Sequence, residues 1–342
     1  MRIRAVAFQF RHDRPHSMSV SVVLVAYHGD RWLPVCVETL ASACTDPLHV
    51  VLVDNDGNTI LDGLDLSAFD VEVLSTPRPM GFAEANNFAL MEAPRLRDTV
   101  LFLNQDTKSP PGWIDGCMRV LNNHPELGAV SPCIRTYEDD GWDPSFLTCL
   151  SEEQKAALKA NSVGGEVIPT QNVPAPALLV RTNVLMETGP FDPVYGSYYE
   201  DYDLCRRIRG QGRQIGFCCD ARVRHFSGGS TTTEEQKRRR TRQVIRNRVL
   251  YELREGDRPR WRAALSRFLF SFPHRLMRGL IGTPSSQPPQ VTLRAYGDLL
   301  RLGRRVFSPS YDESEWQKYL DELGWPPSPQ FQASRSKEVG VA

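Results

Sequence analysis

Three carboxylates lie within four positions in the segment SYYEDYDLCRRIRGQG, which spans residues 197–212. Glu200, Asp201 and Asp203 could accept a proton or bind a cation, because carboxylates do both in proteins. The alternative is a solvated helix start, since the helix dipole favours acids in the first turn and clustered carboxylates are unfavourable to bury. The residue types alone leave both interpretations open.

Two further polar groups stand where predicted strands end. Asn104 and Asp106 follow a strand in TVLFLNQDT (99–107) and are two positions apart, so extended geometry would put both side chains on one side. His225 lies in VRHFSGGS, before small residues whose backbone N–H groups could approach a phosphate. A polar turn and a structural histidine would explain these residues equally well if each stood alone.

The apolar runs predict an α/β fold. Strands are predicted at 20–27, 49–58, 71–76 and 99–107, and helical spacing is found at 31–42 and 81–93. Polar residues collect where the strands finish, which is typical of an open sheet that binds ligands at the carboxyl ends of its strands.

The pattern is less regular beyond residue 110. It predicts a helix and then strands near 128–131 and 175–182, a helix before residue 212, and a last strand within 213–231. Residues 136–172 are predicted to form a polar, mobile insertion with a short helix near 151–160. From residue 236 the chain is predicted to be helical and rich in arginine, with a linker or bend at 282–290.

Composition limits the classes of protein. Lys plus Arg and Asp plus Glu each number 41, so nothing suggests bulk nucleic-acid binding. The eight cysteines are scattered without CxxC pairs, which favours small buried thiols over a disulfide framework. We find no leader peptide and no apolar stretch long enough to cross a bilayer. We therefore expect a cytoplasmic protein.

Several stretches, taken together, resemble a known family. They are AYHGD (26–30), VLVDNDG (51–57), GFAEANN (81–87), FLNQDT (102–107) and GPFDPVYGSYYEDYDLCRRIRGQG (189–212), followed by VRHFSGGS (223–230). In order and spacing they resemble a family 2 glycosyltransferase with the GT-A fold, similar to the bacterial rhamnosyltransferase-like branch. The resemblance covers residues 20 to about 230. It implies a Rossmann-like open mixed sheet flanked by helices, here with a C-terminal helical extension.

The resemblance implies a divalent cation, Mg²⁺ or Mn²⁺, that neutralises the diphosphate of a nucleotide-sugar donor. LNQDT corresponds to the family's Asp-x-Asp motif, with Asn104 at the first acid. Asp106 is therefore expected to bind the metal, and Asn104 to hydrogen-bond ribose or water. His225 is the expected second ligand of the metal.

Three more residues are expected to bind the donor. Tyr27 could stack on the base, although Ala26 and His28 stand where the family commonly has Thr and Asn. Asp54 matches the position that hydrogen-bonds the base or ribose, and Asn86 matches one that points towards the donor. Because of the departures around Tyr27, the nucleotide stays open among UDP-, dTDP- and GDP-linked sugars.

The resemblance also answers the question raised by residues 197–212. Inverting sugar transfer needs one base that takes a proton from the attacking hydroxyl. Asp201 matches the family's base, and Glu200 is expected to orient the acceptor or brace the loop. The expected activity is transfer of a hexose or deoxyhexose such as rhamnose to a glycan, glycolipid or other hydroxyl acceptor.

Three segments are predicted: an N-terminal extension (1–18), a catalytic domain (19–235) and an Arg-rich helical region (236–342). The basic, amphipathic stretch 237–281 could pack on the catalytic domain, lie on an anionic membrane at the inner face of the plasma membrane, or bind a partner or a second copy. The alternatives in function are a sugar-phosphate nucleotidyltransferase, which would need a Gly-rich loop that AYHGDRWLPV lacks, and a non-catalytic carbohydrate-binding or scaffold protein.

Overall fold

The structure is a computed structural model. It describes residues 19–57, 61, 63–93, 95–160, 162, 164–227, 233–254, 272–273, 276–277, 288–302 and 313–325. These residues form two compact units. The first contains the described residues up to Phe191 together with 204–227, and the second contains Asp192–Asp203 together with the described residues from 233 to Trp325.

The first unit is built on a nine-stranded mixed sheet, which confirms the predicted open α/β architecture. Its strands are β1 (Val20–Ala26), β2 (His49–Asp54), β3 (Asp70–Ser75), β4 (Thr99–Asn104), β5 (Thr107–Lys108), β6 (Leu127–Thr136), β7 (Val167–Pro169), β8 (Ala177–Arg181) and β9 (Gln214–His225). The order is β3-β2-β1-β4-β8-β6-β9-β5, and β7 pairs with β9.

The strands run parallel from β3 to β4 and antiparallel on either side of β8. β1 reads VSVVLVA and is buried along nearly its whole length because it pairs with β2 on one side and β4 on the other. A continuous apolar run is typical of such a central strand. The parallel arrangement brings the carboxyl ends of β1, β2 and β4 to one edge.

Seven helices connect these strands: α1 (Leu33–Leu40), α2 (Phe82–Glu92), α3 (Trp113–Asn123), α4 (Pro144–Thr148), α5 (Glu152–Lys159), α6 (Thr182–Thr188) and α7 (Glu200–Gly210). In α1, Leu33, Cys36, Val37 and Leu40 are buried, which is the three- and four-residue spacing of one helix face. The unit boundary falls inside α7, after Asp203.

The prediction that residues 136–172 form a polar, mobile insertion is wrong. The segment holds α4, α5 and the paired strand β7, and only the predicted helix near 151–160 is confirmed. Phe146 is fully buried, with its ring centroid 4.6 Å from that of Phe217 on β9. The apolar residues here are spaced too irregularly to reveal this packing in the sequence.

The second unit contains the start of α7 and the helices α8 (Glu234–Arg254), α9 (Pro289–Arg301) and α10 (Glu313–Leu323). α8 and α9 share a core that includes Leu250, Tyr251, Ala295, Tyr296 and Leu299. Both Nε and Nη2 of Arg242 lie 2.5 Å from the carboxylate of Asp298, a two-point ion pair between these helices. Packing therefore uses the apolar side chains of α8 together with Arg242, whereas Arg238 and Arg239 are exposed.

Among the described residues, no helix combines the length and apolar character needed to cross a bilayer. All eight cysteines are free thiols, five of them buried, as the scattered spacing predicted. The predicted N-terminal extension, the stretch 228–230, most of residues 255–281 of the proposed membrane-contact segment, and residues 282–287 of the predicted linker lie outside the described residues. The other linker residues, 288–290, form the N-cap and the start of α9.

Candidate active site

Three of the predicted donor-binding residues meet at the carboxyl edge of the parallel strands. Ala26, directly before Tyr27, pairs with Asp54 at the end of β2, and Val25 pairs with Asn104 at the end of β4. Tyr27 and Asn104 are partly exposed. This edge is where open α/β sheets bind their ligands.

Gln105 holds this edge together, and sequence reasoning missed it. Its side chain accepts a hydrogen bond from Tyr27 N at 3.0 Å and donates one to Tyr27 O at 2.6 Å. A β-carbon at Gly29 would lie only 2.4 Å from Oε1 of Gln105, so the site requires glycine at that position. The ends of β1 and β4 are thereby fixed to each other.

Asp54 and Asn86 have local partners. Oδ1 of Asp54 accepts hydrogen bonds from the backbone N–H groups of Asp56 and Gly57 at 3.3 and 3.0 Å. Gly57 has φ +67°, the left-handed conformation that glycine adopts readily. Asn86 is buried and donates to Phe82 O one turn earlier at 2.9 Å. The donor-binding roles of both residues stay predictions.

Asn55, which lies between Asp54 and Asp56, also has a structural role. Its Nδ2 donates to Met80 O at 3.0 Å, and its Oδ1 accepts from Met80 N at 2.9 Å. It thereby fixes the loop that leads into α2. Such amide contacts between segments 25 residues apart leave no periodic signal in a sequence.

The structure places Asp106 beside His225, as the predicted metal pair requires. The strand β5 that follows Asp106 pairs with the end of β9, Thr107 opposite His225, and Phe226 N donates to Asp106 O at 2.9 Å. Nε2 of His225 lies 3.5 Å from Oδ1 of Asp106, and both residues are buried. This pair is the strongest geometric support for the candidate site.

Asp143 completes the group and was not foreseen. Its Oδ2 lies 3.1 Å from Nδ1 of His225, and its side chain is 1% exposed. Its Oδ1 accepts from Ser145 N at 2.7 Å, so the same carboxylate caps α4. Asp143 is 82 positions from His225 in a segment predicted to be mobile, and only a turn signal marked it in the sequence.

The two carboxylates control the charge of His225. Burial lowers the pKa of His225, but the hydrogen bonds and charges of Asp106 and Asp143 outweigh it and raise the pKa to about 9. Burial raises the pKa of Asp143, but the contacts with His225 and Ser145 hold it below its usual value. A raised pKa favours the protonated form of His225 at neutral pH, so His225 must lose its Nε2 proton when it binds a metal ion.

An aromatic cluster lies next to His225. The rings of Trp32 and Phe226 stack with centroids 4.2 Å apart, and Tyr137 packs edge-on against both. Lys108 lies 4.1 Å from the centroid of Tyr137, and Arg31 lies 4.4 Å from that of Trp32. Phe226 is 37% exposed, so it offers a ring face to a sugar, with cations close by.

The candidate base and its neighbour belong to the second unit. Asp201 is partly exposed, and its Oδ1 accepts a hydrogen bond from the backbone N–H of Tyr202 at 2.8 Å. Glu200 is 5% exposed, and its Oε2 has no hydrogen-bond partner within the described part of the chain. Burial, followed by the charge of Asp201, raises the pKa of Glu200 well above its usual value.

This burial predicts a stabilising substitution. Because the pKa of Glu200 is raised on folding, the folded state is favoured below the unfolded pKa and that advantage is lost as the pH rises through the folded pKa. Glu200→Gln removes the charge, so we expect a higher Tm at pH 7, by about 2–4 °C per kcal/mol gained, and little change near pH 4. Thermal unfolding at both pH values checks this.

The matched control for that measurement is Glu235→Gln on the exposed surface of α8. Its Tm should follow the wild type at both pH values. An equal Tm for Glu200→Gln and the wild type at pH 7 would contradict the raised pKa of Glu200.

Within the described residues, no group of three or more His, Cys, Asp or Glu side chains has the arrangement of a complete metal site. Asp106 and His225 alone offer one oxygen and one nitrogen ligand. Mg²⁺ and similar ions commonly take one or two protein ligands and fill the remaining positions with substrate phosphate and water. The pair therefore fits a cation that is bound together with a diphosphate.

The chain belongs to the family described as "Glycosyltransferase like family 2", whose model matches residues 15–245. It is accordingly a nucleotide-sugar glycosyltransferase. Two strains of Mycobacterium tuberculosis have a relative named N-acetylglucosaminyl-diphospho-decaprenol L-rhamnosyltransferase, 26% identical over 241 residues. The match covers 60% of this chain and 75% of the mycobacterial protein, and it confirms the resemblance to rhamnosyltransferases.

Solved structures confirm the GT-A fold. Residues 1–349 of TarS from S. aureus match with a TM-score of 0.52 and 18% identity, over 86% of this chain and 83% of the TarS chain. GalNAc-T7, crystallised with UDP, GalNAc and Mn²⁺, matches with a TM-score of 0.55 and 15% identity, over 92% of this chain and 60% of the other.

Proposed function

We propose that this chain is an inverting glycosyltransferase that moves a hexose or deoxyhexose, such as rhamnose, from a nucleotide diphosphate donor to a hydroxyl acceptor. The observation that carries the proposal is the buried pair of Asp106 and His225 at the carboxyl edge of the sheet, 3.5 Å apart. The mycobacterial relative is named for transfer of rhamnose to a lipid-linked diphospho acceptor. We extend that donor and acceptor class to this chain as part of the proposal.

The cofactor we propose is Mg²⁺ or Mn²⁺, held by Asp106 and His225. The donor set of one carboxylate and one imidazole suits such an ion, and GalNAc-T7 was crystallised with Mn²⁺. When bound, the ion would neutralise charge on the leaving diphosphate. Asp143 holds Nδ1 of His225 and leaves Nε2 for the ligand side, a carboxylate–histidine arrangement that is common around metals.

The metal role of this group predicts an effect at Asp143. Asp143→Ser keeps a residue that caps α4 well but cannot reach His225. We expect Mn²⁺ affinity, measured by calorimetry with UDP present, to fall by about 10–100-fold, as for other outer partners of metal ligands. Ser145→Ala is the control, because it removes the hydrogen bond from the Ser145 hydroxyl to Asp143 and keeps the histidine contact. Unchanged Mn²⁺ affinity in Asp143→Ser would contradict this role.

Side chains of the protein itself are proposed to bind the donor and to accept the proton. Tyr27, Asp54, Asn86 and Asn104 are proposed to bind the nucleoside and sugar of the donor. Asp201 takes the proton of the acceptor hydroxyl as that oxygen attacks the anomeric carbon from the face opposite the diphosphate. One base is sufficient because the nucleoside diphosphate is displaced in a single step. That step also inverts the configuration of the anomeric carbon.

The acceptor we propose is a glycan or a lipid-linked sugar. Phe226 and its aromatic neighbours offer a stacking surface next to His225. On α8, Lys237, Arg238 and Arg239 are exposed, which agrees with contact to an anionic membrane surface from the cytoplasmic side. Self-association through this region stays an alternative. The non-catalytic and nucleotidyltransferase alternatives lose support because the chain belongs to a glycosyltransferase family.

The test begins with a thermal-shift panel of UDP-, dTDP- and GDP-sugars, each with and without Mn²⁺. One donor class should raise Tm only when Mn²⁺ is present. That donor is then incubated with a lipid-linked diphospho-sugar, and the anomeric configuration of the product is read by NMR. Absence of stabilisation by every donor, or a product with retained configuration, would refute the proposal.

A further inference from the structure

The residues that precede Glu200 and Asp201 adopt an unusual backbone conformation. Gly196, Tyr198 and Tyr199 have φ values of +70°, +72° and +73°. Glycine tolerates this region, but a bulky residue there is an outlier because its β-carbon crowds the backbone. Two consecutive tyrosines in the left-handed region persist only if the surroundings hold them.

Asn247 on α8 supplies that restraint within the second unit. Its Nδ2 lies 2.8 Å from Tyr195 O, 2.9 Å from Ser197 O and 2.7 Å from Tyr198 O. Its side chain is fully buried. One amide group therefore serves three carbonyls of the loop that leads directly into Glu200.

Arg246 fixes the orientation of that amide. Its Nε donates to Oδ1 of Asn247 at 2.7 Å, so the NH₂ group of Asn247 is the side directed at the loop. Nη2 of Arg246 also donates to Val194 O and Tyr195 O, at 2.8 Å each. Arg246 and Asn247, which are adjacent on α8, thus donate hydrogen bonds to four backbone carbonyls of the loop, those of Val194, Tyr195, Ser197 and Tyr198.

The beginning of the same loop is anchored by a buried ion pair. Nη1 of Arg254 lies 2.8 Å from Oδ2 of Asp192, and both side chains are only 9% exposed. Oδ1 of Asp192 accepts from Val194 N at 3.0 Å. The loop is therefore held by α8 from Asp192 to Tyr198. Tyr199, whose ring centroid lies 5.8 Å from that of Tyr251 on α8, leads directly into α7.

We propose that Asn247 is a positioning residue for the catalytic base: it keeps Tyr198 and Tyr199 left-handed so that α7 starts with Asp201 correctly oriented. This inference rests on the proposed role of Asp201. The simpler alternative is that Asn247 only satisfies buried carbonyls and contributes stability. The two alternatives differ in what a conservative substitution does to kcat.

The chemistry of the site explains why asparagine is needed. Aspartate has the same size, but the oxygen that replaces Nδ2 would face the carbonyl oxygens of the loop and no N–H would remain to donate to them. Alanine would leave the carbonyls of Ser197 and Tyr198 without this donor, whereas Tyr195 O would keep its hydrogen bond from Arg246. Asn247→Asp therefore changes the donor chemistry and keeps the volume, whereas Arg246→Lys loosens the amide more mildly by removing the Nε contact.

The experiment compares Asn247→Asp, Arg246→Lys and the wild type in steady-state transfer with Mn²⁺ and the preferred donor. Small misplacement of a catalytic group can reduce the rate by about 100-fold. We expect Asn247→Asp to lower kcat by about 30–100-fold and Arg246→Lys by a smaller factor. The KM for the donor should stay within about twofold of wild type, because the proposed donor-binding residues belong to the first unit.

A second substitution tests the backbone explanation. Tyr198→Gly places at φ +72° a residue that tolerates this conformation. Added to Asn247→Asp, it should recover part of the lost kcat, which a purely stabilising contact would not predict. Hydrogen exchange provides a readout without turnover: amides 196–201 should lose protection in Asn247→Asp and regain part of it in the double variant.

Arg248→Ala is the matched control, since Arg248 is the exposed neighbour on the same helix, paired with Glu252. It should keep wild-type kcat. Wild-type kcat in Asn247→Asp, or a loss of kcat that merely equals the loss of folded protein, would overturn the positioning role. If Asp201→Asn also retains turnover, the proposed base has failed instead, so the two failures are distinguishable.

Discussion

Replacing Asp201 by asparagine is expected to lower kcat by about 10²–10⁴-fold, the usual contribution of a general base. The amide has nearly the same shape as the carboxylate but cannot accept the proton of the attacking hydroxyl. Binding of the donor with Mn²⁺ should persist, because the residues proposed to bind it lie elsewhere in the chain. Steady-state kinetics and a donor titration by calorimetry measure the two quantities separately.

The matched control is Asp321→Asn. Asp321 is an exposed carboxylate on α10 and, like Asp201, belongs to the second unit. It should retain wild-type turnover. The pH profile offers a further check, because the residual rate of Asp201→Asn should no longer fall as the base becomes protonated at low pH. Turnover within about twofold of wild type would remove Asp201 from the mechanism.

Replacing Asp106 by alanine should act on binding instead. Loss of an outer partner of a metal ligand lowers metal affinity by about 10–100-fold, so loss of a direct ligand should cost at least about 100-fold. Donor binding should then become insensitive to Mn²⁺. Calorimetric titration of Mn²⁺ in the presence of UDP measures this without any turnover.

Asp220→Asn serves as the control for that titration, because Asp220 is an exposed acid in the first unit, its side chain 72% exposed. Its Mn²⁺ affinity should equal that of the wild type. If Asp106→Ala kept its Mn²⁺-dependent donor affinity, Asp106 would not be a metal ligand, and the chemistry of the pair with His225 would need another explanation.

The sequence predicted the central parallel strands β1, β2 and β4 well, because each is a continuous apolar run that is buried by its neighbours. The predicted strands at 20–27, 49–58 and 99–107 correspond to β1, β2 and β4, although the polar residues after β2 and β4 proved to be turns. The ends of these strands also predicted which side chains gather at the carboxyl edge. Local hydrophobicity is sufficient for this part of the fold.

Contacts between distant side chains could not be predicted from the residues alone, and the pairing of Asp106 with His225 was expected only through the family resemblance. β5 has two residues and no period to detect, yet it sets Asp106 beside His225. Asp143 and Asn247 were missed for the same reason. Asp143 stands in a segment that looked polar, 82 positions from its partner His225. Asn247 stands in an arginine-rich helix, about 50 positions from the carbonyls to which it donates. A single sequence contains no signal for such pairs.

The lock between Gly29 and Gln105 limits how the nucleotide preference of this enzyme can change. Any side chain at position 29 would displace the Gln105 amide and release the main chain of Tyr27. Libraries that aim at another donor should therefore leave 29 and 105 untouched and vary the side chains at 27 and 54, which we propose to bind the nucleoside. The preference for the donor nucleotide would then change, while the hydrogen bonds between Gln105 and the main chain of Tyr27 stay intact.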